Sequence, residues 1–346
     1  MQDHLITASI VGLYFFILSV CLGSLTLLLK KYSGLQWLEC AVGSLALHQI
    51  LKISLMAGTS FFHALSHTYA LLYGAAVFSL FCAAFVAAFR DKTFRSSFPR
   101  IKFESIINAT SVLFIICGGL FVAFLLLVVV RAVYFFDNSF DVEGYGYSKI
   151  AFYFQNNSIF HITGLHDLRI DSFERNGELN FLHAFLITRD IRFFGLAGVE
   201  VWMGIILSTF FLLRSLEVGR MISWVFAFLL GSAPAVYGLS SITKGDSWSA
   251  MYFVLAVAFL VLIRNKGFRD ARFFFFVVFL ALAATSKLSM AFAVVLFLPL
   301  GLWISLKDAE FRFRPEPWIL TILAGFCVSN KQIQNHWCPV NGVFNF

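Results

Sequence analysis

The stretch IINATSVLFIICGGLFVAFLLLVVVRAVYFF occupies Ile106–Phe136 and carries one charge, Arg131, near its end. About 20 apolar residues suffice to cross the hydrocarbon core of a bilayer as a helix, so this run reads as a membrane span. Similar runs fall at roughly 5–29, 35–58, 64–89, 193–213, 221–241, 248–263, 273–286, 288–306 and 317–330, three of the later ones being short. Composition agrees: of 346 residues, 60% are hydrophobic, 13% are charged and 44 are Phe, a balance that cannot supply a soluble surface. The predicted fold is an all-α polytopic membrane protein with about ten transmembrane helices. Residues 1–104 hold the first three, and 105–346 hold the remaining core. The opening Met-Gln-Asp-His lacks the positive segment of a signal peptide and the run behind it is too long for one, so the first span is expected to be retained.

Basic residues set the expected orientation, because cytoplasmic loops of membrane proteins collect Lys and Arg. Lys30 and Lys31, then Arg90, Lys92, Arg95, Arg100 and Lys102, then Arg214 and Arg220, then Arg264, Lys266, Arg269 and Arg272, and finally Lys307, Arg312 and Arg314 occupy every second connection. Both termini are then outside, and the net charge of +7 is explained without a nucleic-acid partner. The six Cys form no CxxC and no Cys/His cluster at metal spacing, which makes them packing residues. His161, His166 and Asp167 match no standard metal site.

The opposite face differs in kind. Its long loop, Asp137 to Arg192, interleaves acids with aromatics, and long connections without a span usually carry a site or a lid. Near-helical spacing of Tyr145, Ile150, Ala151, Phe152, Phe154 and Ile159, and again of Leu179, Phe181, Leu182, Ala184, Phe185 and Leu186, predicts helices lying in the membrane interface.

Asp141, Tyr145 and the segment Lys149-Ile-Ala-Phe-Tyr-Phe-Gln-Asn-Asn-Ser158 resemble the first outer loop of GT-C-type glycosyltransferases, polytopic enzymes that take sugars from polyprenyl phosphates. Thr243-Lys-Gly-Asp246 resembles that family's Thr-Lys-Asn-Asp, and Ala284-Thr-Ser-Lys287 its Gly-Thr-Lys. The tail Asn335–Phe346 is faintly similar to a later Asn…Gly-Asn-Pro stretch. Gly146, Ser148 and Gly245 depart from the pattern, where the family has His, Pro and Asn. The resemblance covers about residues 105–346 and implies a chain that is C-terminally incomplete or degenerate, since such enzymes continue with further spans or an outer domain.

What it implies chemically is sugar transfer from a polyprenyl-phosphate donor to a glycan, lipid or protein acceptor on the outer face of an inner or plasma membrane. The departing phosphate needs no proton, so one carboxylate as base and cations for the leaving charge are enough, unlike glycoside hydrolysis, where a second carboxyl protonates an alkoxide. Asp141 is the candidate base. Lys244 and Lys287 are the candidate phosphate partners, with Arg189 and Arg192 as helpers. Glu143, Tyr145, Lys149 and Asp246 complete the candidate substrate contacts. A single displacement would invert the anomeric configuration. The lipid-linked sugar donor is the substrate the resemblance implies; no cofactor is certain, and a divalent metal stays open with no ligand motif to support it.

Each candidate has a rival reading. Asp141 before Glu143 reads equally as a helix N-cap with first-turn charge, Lys244 and Lys287 as snorkelling span ends, and Asp246 as an N-cap of the span at Trp248. Glu39 is close enough to the cytoplasmic edge to reach water, and Phe273–Phe276 reads as a lipid-facing span start. Glu200 and the His48/Lys52 pair lie inside apolar runs, where ionisable groups are expensive and often functional. A transporter or flippase for a lipid-linked substrate, or a non-catalytic membrane subunit, are the competing functions.

Overall fold

A computed structural model describes residues 2–90, 109–135, 147–160, 176–240 and 245–307. Asp141, Glu143, Tyr145 and Lys244 of the predicted site lie outside the described residues, as do His161, His166, Asp167, the run at 317–330 and the tail. Among the described residues every element is helical: α1 Gln2–Tyr32, α2 Trp37–Phe61, α3 Leu65–Arg90, α4 Ala109–Tyr134, α5 Ser148–Gln155, α6 Asn176–Thr188, α7 Gly195–Ser215, α8 Arg220–Ser232, α9 Pro234–Ser240, α10 Asp246–Lys266, α11 Asp270–Ser286 and α12 Ala291–Lys307. Short 3-10 turns at Ile191–Phe193 and Leu288–Met290 precede α7 and α12. Five described segments are long and apolar enough to cross a membrane: Asp3–Tyr32, Trp37–Phe61, Leu65–Arg90, Ile191–Ser215 and Asp246–Lys266. The chain is a membrane-embedded helical protein.

The run at 221–241, expected as one span, is two helices. Pro234 opens α9, where its missing N–H breaks no bond, and Ala233 before it is extended at φ −61° and ψ 133°, the conformation a following proline favours.

α1, α2 and α3 pack as one group, α7, α10 and α11 as another, and α6 is wedged against both. This changes the reading of the loop. The residues 176–188 do form a helix, but it is enclosed rather than laid on a surface: Leu179, Phe181, Leu182, Ala184 and Leu186 are buried, and so are the polar Asn180 and His183. The spacing that made one face look interfacial was half of an all-round contact.

Two further expectations are corrected. Phe273, Phe275 and Phe276 are buried, not lipid-facing. Glycines admit them: a side chain at Gly43 of α2 would overlap the Phe275 ring, and one at Gly301 of α12 the Phe276 ring. Glu39 does not reach water either, being 2% exposed and paired with Arg272.

Helix ends meet in two sets. At one end Arg269 donates to Gly34 O, Lys266 to Gln36 Oε1 at 3.4 Å and Asn265 to Ser215 O at 3.2 Å. At the other, His4 meets the Tyr134 hydroxyl at 3.1 Å, Ile159 N–H donates to Ser60 Oγ at 3.0 Å, and Arg189 donates to Ser66 O. The basic residues Lys266, Arg269 and Arg272 gather at the first end, and the described motif residues at the second.

Candidate active site

The second end is built where three chain segments approach backbone to backbone. A side chain at Gly177, in the first turn of α6, would overlap the Gly245 Cα at the start of α10, and one at Gly245 would overlap the Ser286 carbonyl at the end of α11. Gly245 has φ −69°, so it is there for space and not for backbone freedom. A side chain at 245, such as the Asn of the motif that Thr243–Asp246 resembles, has no room here.

Side chains continue the convergence. Lys287 forms an ion pair with Asp246, the two being 45% and 35% exposed. Asp246 was expected to N-cap its helix. It is instead the first helical residue, in the turn where the positive end of the helix dipole favours a carboxylate. On the other side of Gly177, Glu178 lies 3.9 Å from the ammonium of Lys149, with both side chains largely buried. Lys149, a candidate substrate contact in a helix expected to lie in the interface, is therefore a buried cation of α5. The result is a continuous line from Lys149 through Glu178, Gly177 and Gly245 to Asp246 and Lys287. Sequence reading named four of these six positions, Lys149, Gly245, Asp246 and Lys287, and passed over Gly177 and Glu178, one acid among eight in the loop.

Arg189 and Arg192 are engaged elsewhere. Arg189 sits in the left-handed region at φ 60° and donates to Ser66 O. Arg192 closes on Asp190 with Nε and Nη2 at 2.8 and 2.6 Å, while its backbone N–H is capped by the same carboxylate at 2.9 Å. Those side-chain bonds, ahead of the backbone bond and the nearby charge, hold the Asp190 carboxyl below its ordinary range against the opposing effect of burial. Ser286 Oγ, beside Lys287, and Trp248 Nε1, two residues past Asp246, are buried with no hydrogen-bond partner among the described residues.

About one helical turn beneath lies a second polar group. Lys52 Nζ donates to Asn180 Oδ1 at 2.7 Å and to Glu200 Oε2 at 3.2 Å, and Tyr14 donates to the other Glu200 oxygen. His48 Nε2 meets the Tyr73 hydroxyl at 2.8 Å, and His183 Nδ1 meets that of Tyr69 at 2.7 Å. The sequence flagged Glu200 and, apart from it, the His48/Lys52 pair, as ionisable groups in apolar runs. Asn180, the partner of Lys52, and His183, the partner of Tyr69, stand in the sequence only as polar positions three residues apart in an apolar helix.

Chemically, the upper line offers a half-exposed ammonium beside a carboxylate at a membrane-helix end. Such a pair can hold an anionic group while the carboxylate orients the cation. Among the described residues no three His, Cys, Asp or Glu side chains gather as a metal site. Comparisons with protein-family models, with curated proteins and with solved structures return no match.

Proposed function

We propose that this protein is a membrane glycosyltransferase that moves a sugar from a polyprenyl-phosphate donor to a glycan, lipid or protein acceptor, with inversion, on the face that carries Lys287. The observation that carries the reading is convergence. Lys149, Asp246 and Lys287 come from the three stretches that resemble GT-C enzymes, are separated by up to 138 residues (287 − 149), and fall on one line at one end of the bundle. Chance snorkelling of span-end lysines gives no reason for that meeting.

In this reading Lys287, steadied by Asp246, meets the donor phosphate, with Lys244, two residues before Asp246 in the chain, as its second cation. Charge developing on the leaving phosphate is stabilised there, in surroundings less hydrated than bulk water, where a cation is worth more. Asp141 takes the acceptor proton. In this reading the expected ten spans keep the five basic clusters inside by the positive-inside rule, and the Lys287 face is then the outer one.

The alternative, a transporter, draws on the buried Lys52–Glu200 group, since transporters place polar side chains within the bundle. One assay separates them: sugar transfer from a defined polyprenyl-phosphate donor in purified membranes. Transfer by the wild type, abolished in Asp141→Asn with normal expression, is the expected result. Movement of the intact donor between leaflets without transfer would establish the transporter instead.

A further inference from the structure

We infer that Lys52 is a positioning residue for this site, resting on the transferase reading above: one ammonium holds in register the helices whose first turns carry the site. Lys52 is on α2 and touches no motif residue. Its ammonium nevertheless reaches three other helices, donating to Asn180 of α6 at 2.7 Å and to Glu200 of α7 at 3.2 Å, and lying 5.3 Å from the ring centre of Trp248 on α10. That last distance is within cation–π range.

The placement of those partners gives the contact its consequence. Asn180 is three residues past Gly177, and Trp248 is two past Asp246. At about 1.5 Å of rise per residue, Lys52 acts within roughly 5 Å of helix axis from the glycine contact. α6 and α10 must meet there closely enough that neither Gly177 nor Gly245 can bear a side chain. A glycine contact removes a steric barrier but supplies little attraction, so some other interaction has to keep the two first turns together. The Lys52 ammonium, 2% exposed and with charged, polar and aromatic partners on three helices, is placed to do so. Loosening α6 would carry Glu178 away from Lys149 and Gly177 away from Gly245, opening the line that ends at Lys287.

Lys52→Met alone would strand Glu200 as a buried charge, so the test uses two gentler changes. Asn180→Leu keeps the volume and the Lys52–Glu200 pair and removes the bond to α6, together with the Asn180 side-chain bond to Tyr252 of α10, which the double variant leaves in place. Lys52→Met with Glu200→Gln removes the ammonium without leaving a charge. Amide hydrogen exchange of the full chain in lipid nanodiscs is read alongside transfer from the polyprenyl-phosphate donor. For Asn180→Leu, exchange in α6 should rise about tenfold with α1, α3 and α11 unchanged. The double variant should loosen the start of α10 as well. In both, kcat should fall about tenfold to a hundredfold, as misplaced reacting groups require, while KM changes little. Unchanged exchange in α6, or faster exchange with full kcat, would overturn the inference. A uniform rise across all helices would also overturn it, since that is general destabilisation. If the wild type transfers no sugar, the functional reading falls, and the exchange comparison still decides whether Lys52 holds α6 and α10.

Discussion

Arg272 and Lys287 sit at the two ends of the same helix, α11, and are used in opposite ways. Arg272 is 2% exposed; its Nη2 and Nε reach the two Glu39 oxygens at 3.0 and 3.2 Å, and its Nη1 reaches the carbonyls of Lys266 and Gly267 at 3.2 and 3.1 Å. It closes the last turn of α10, whose chain leaves through Gly267 at φ 80°, and it binds α2 to α11 at once. The planar fork is what allows one side chain to do all this. Lys287 is 45% exposed and meets one carboxylate among the described residues. Its ammonium has three donors, so it keeps capacity for an incoming anion. A saturated cation builds a scaffold, and an unsaturated one at the edge can bind.

The largest effect should come from breaking the saturated pair. Arg272→Met leaves Glu39 buried without its partner and should cost about 3–5 kcal/mol of stability. Arg272→Met with Glu39→Leu should recover most of the loss, because the buried charge is gone as well. Thermal unfolding in detergent compares them. Equal stability of Arg272→Met and wild type would mean that the pair is not closed as described.

Lys287→Ala should behave in reverse. A half-exposed pair contributes about 0–1 kcal/mol to stability, so the unfolding temperature should barely move. Turnover at saturating donor should drop on the order of 10²–10³, the usual penalty for removing one charge-stabilising donor. Lys287→Arg should retain part of the rate, since the charge survives while its geometry and hydration change. Near wild-type turnover of Lys287→Ala together with Lys244→Ala would sink the phosphate role and restore snorkelling.

What was legible in the sequence follows the same division. Apolar runs announce themselves by length, so the helices at α1–α4, α7, α10, α11 and α12 were placed to within a few residues. The break at Pro234 was visible in principle, yet hydropathy averages over it. Enclosure was not legible: Leu179–Leu186 and Phe273–Phe276 have the composition of lipid-facing or interfacial surface, and only their neighbours, Gly43 and Gly301 among them, show them to be core. Pairings across 148 residues, such as Lys52 with Glu200, leave two isolated oddities in a sequence and one ion pair in a fold. Lys149, Asp246 and Lys287 could be named from motif resemblance, but nothing in the chain said that Gly177 would join them.

Gly245 offers a sharper test of whether the binding end is as tightly built as the scaffold end. Gly245→Asn installs the residue found at this place in the glycosyltransferase motif that the sequence resembles. Here it must push against Ser286 O and the Gly177 backbone, and overpacking of this kind typically costs about 1–3 kcal/mol. The expected outcome is lower stability and lower transfer together, with Gly177→Ala similar in direction. Activity raised by Gly245→Asn would show that the three segments part easily, and that the close approach is no requirement of the site.

The smallest effect should come from Arg192 and Asp190, an exposed pair two residues apart that has neither the enclosure of Arg272 nor the tertiary reach of Lys287. Its main service is the cap on the turn leading into α7, so Asp190→Ala should cost about 1 kcal/mol and Asp190→Asn less, the amide oxygen still being able to accept from the Arg192 N–H. The sign of the pH dependence follows from a carboxyl held below its ordinary range when folded. The contribution is complete above the unfolded value of about 3.9 and fades as pH falls from there toward the folded value. Wild type should therefore lose its advantage over Asp190→Ala only in acid, in unfolding curves taken between about pH 7 and pH 3. A constant difference down to the lowest pH would mean that Asp190 acts through shape alone. A large loss of transfer in Arg192→Ala would instead return Arg192 to the phosphate site, against its present commitment to Asp190.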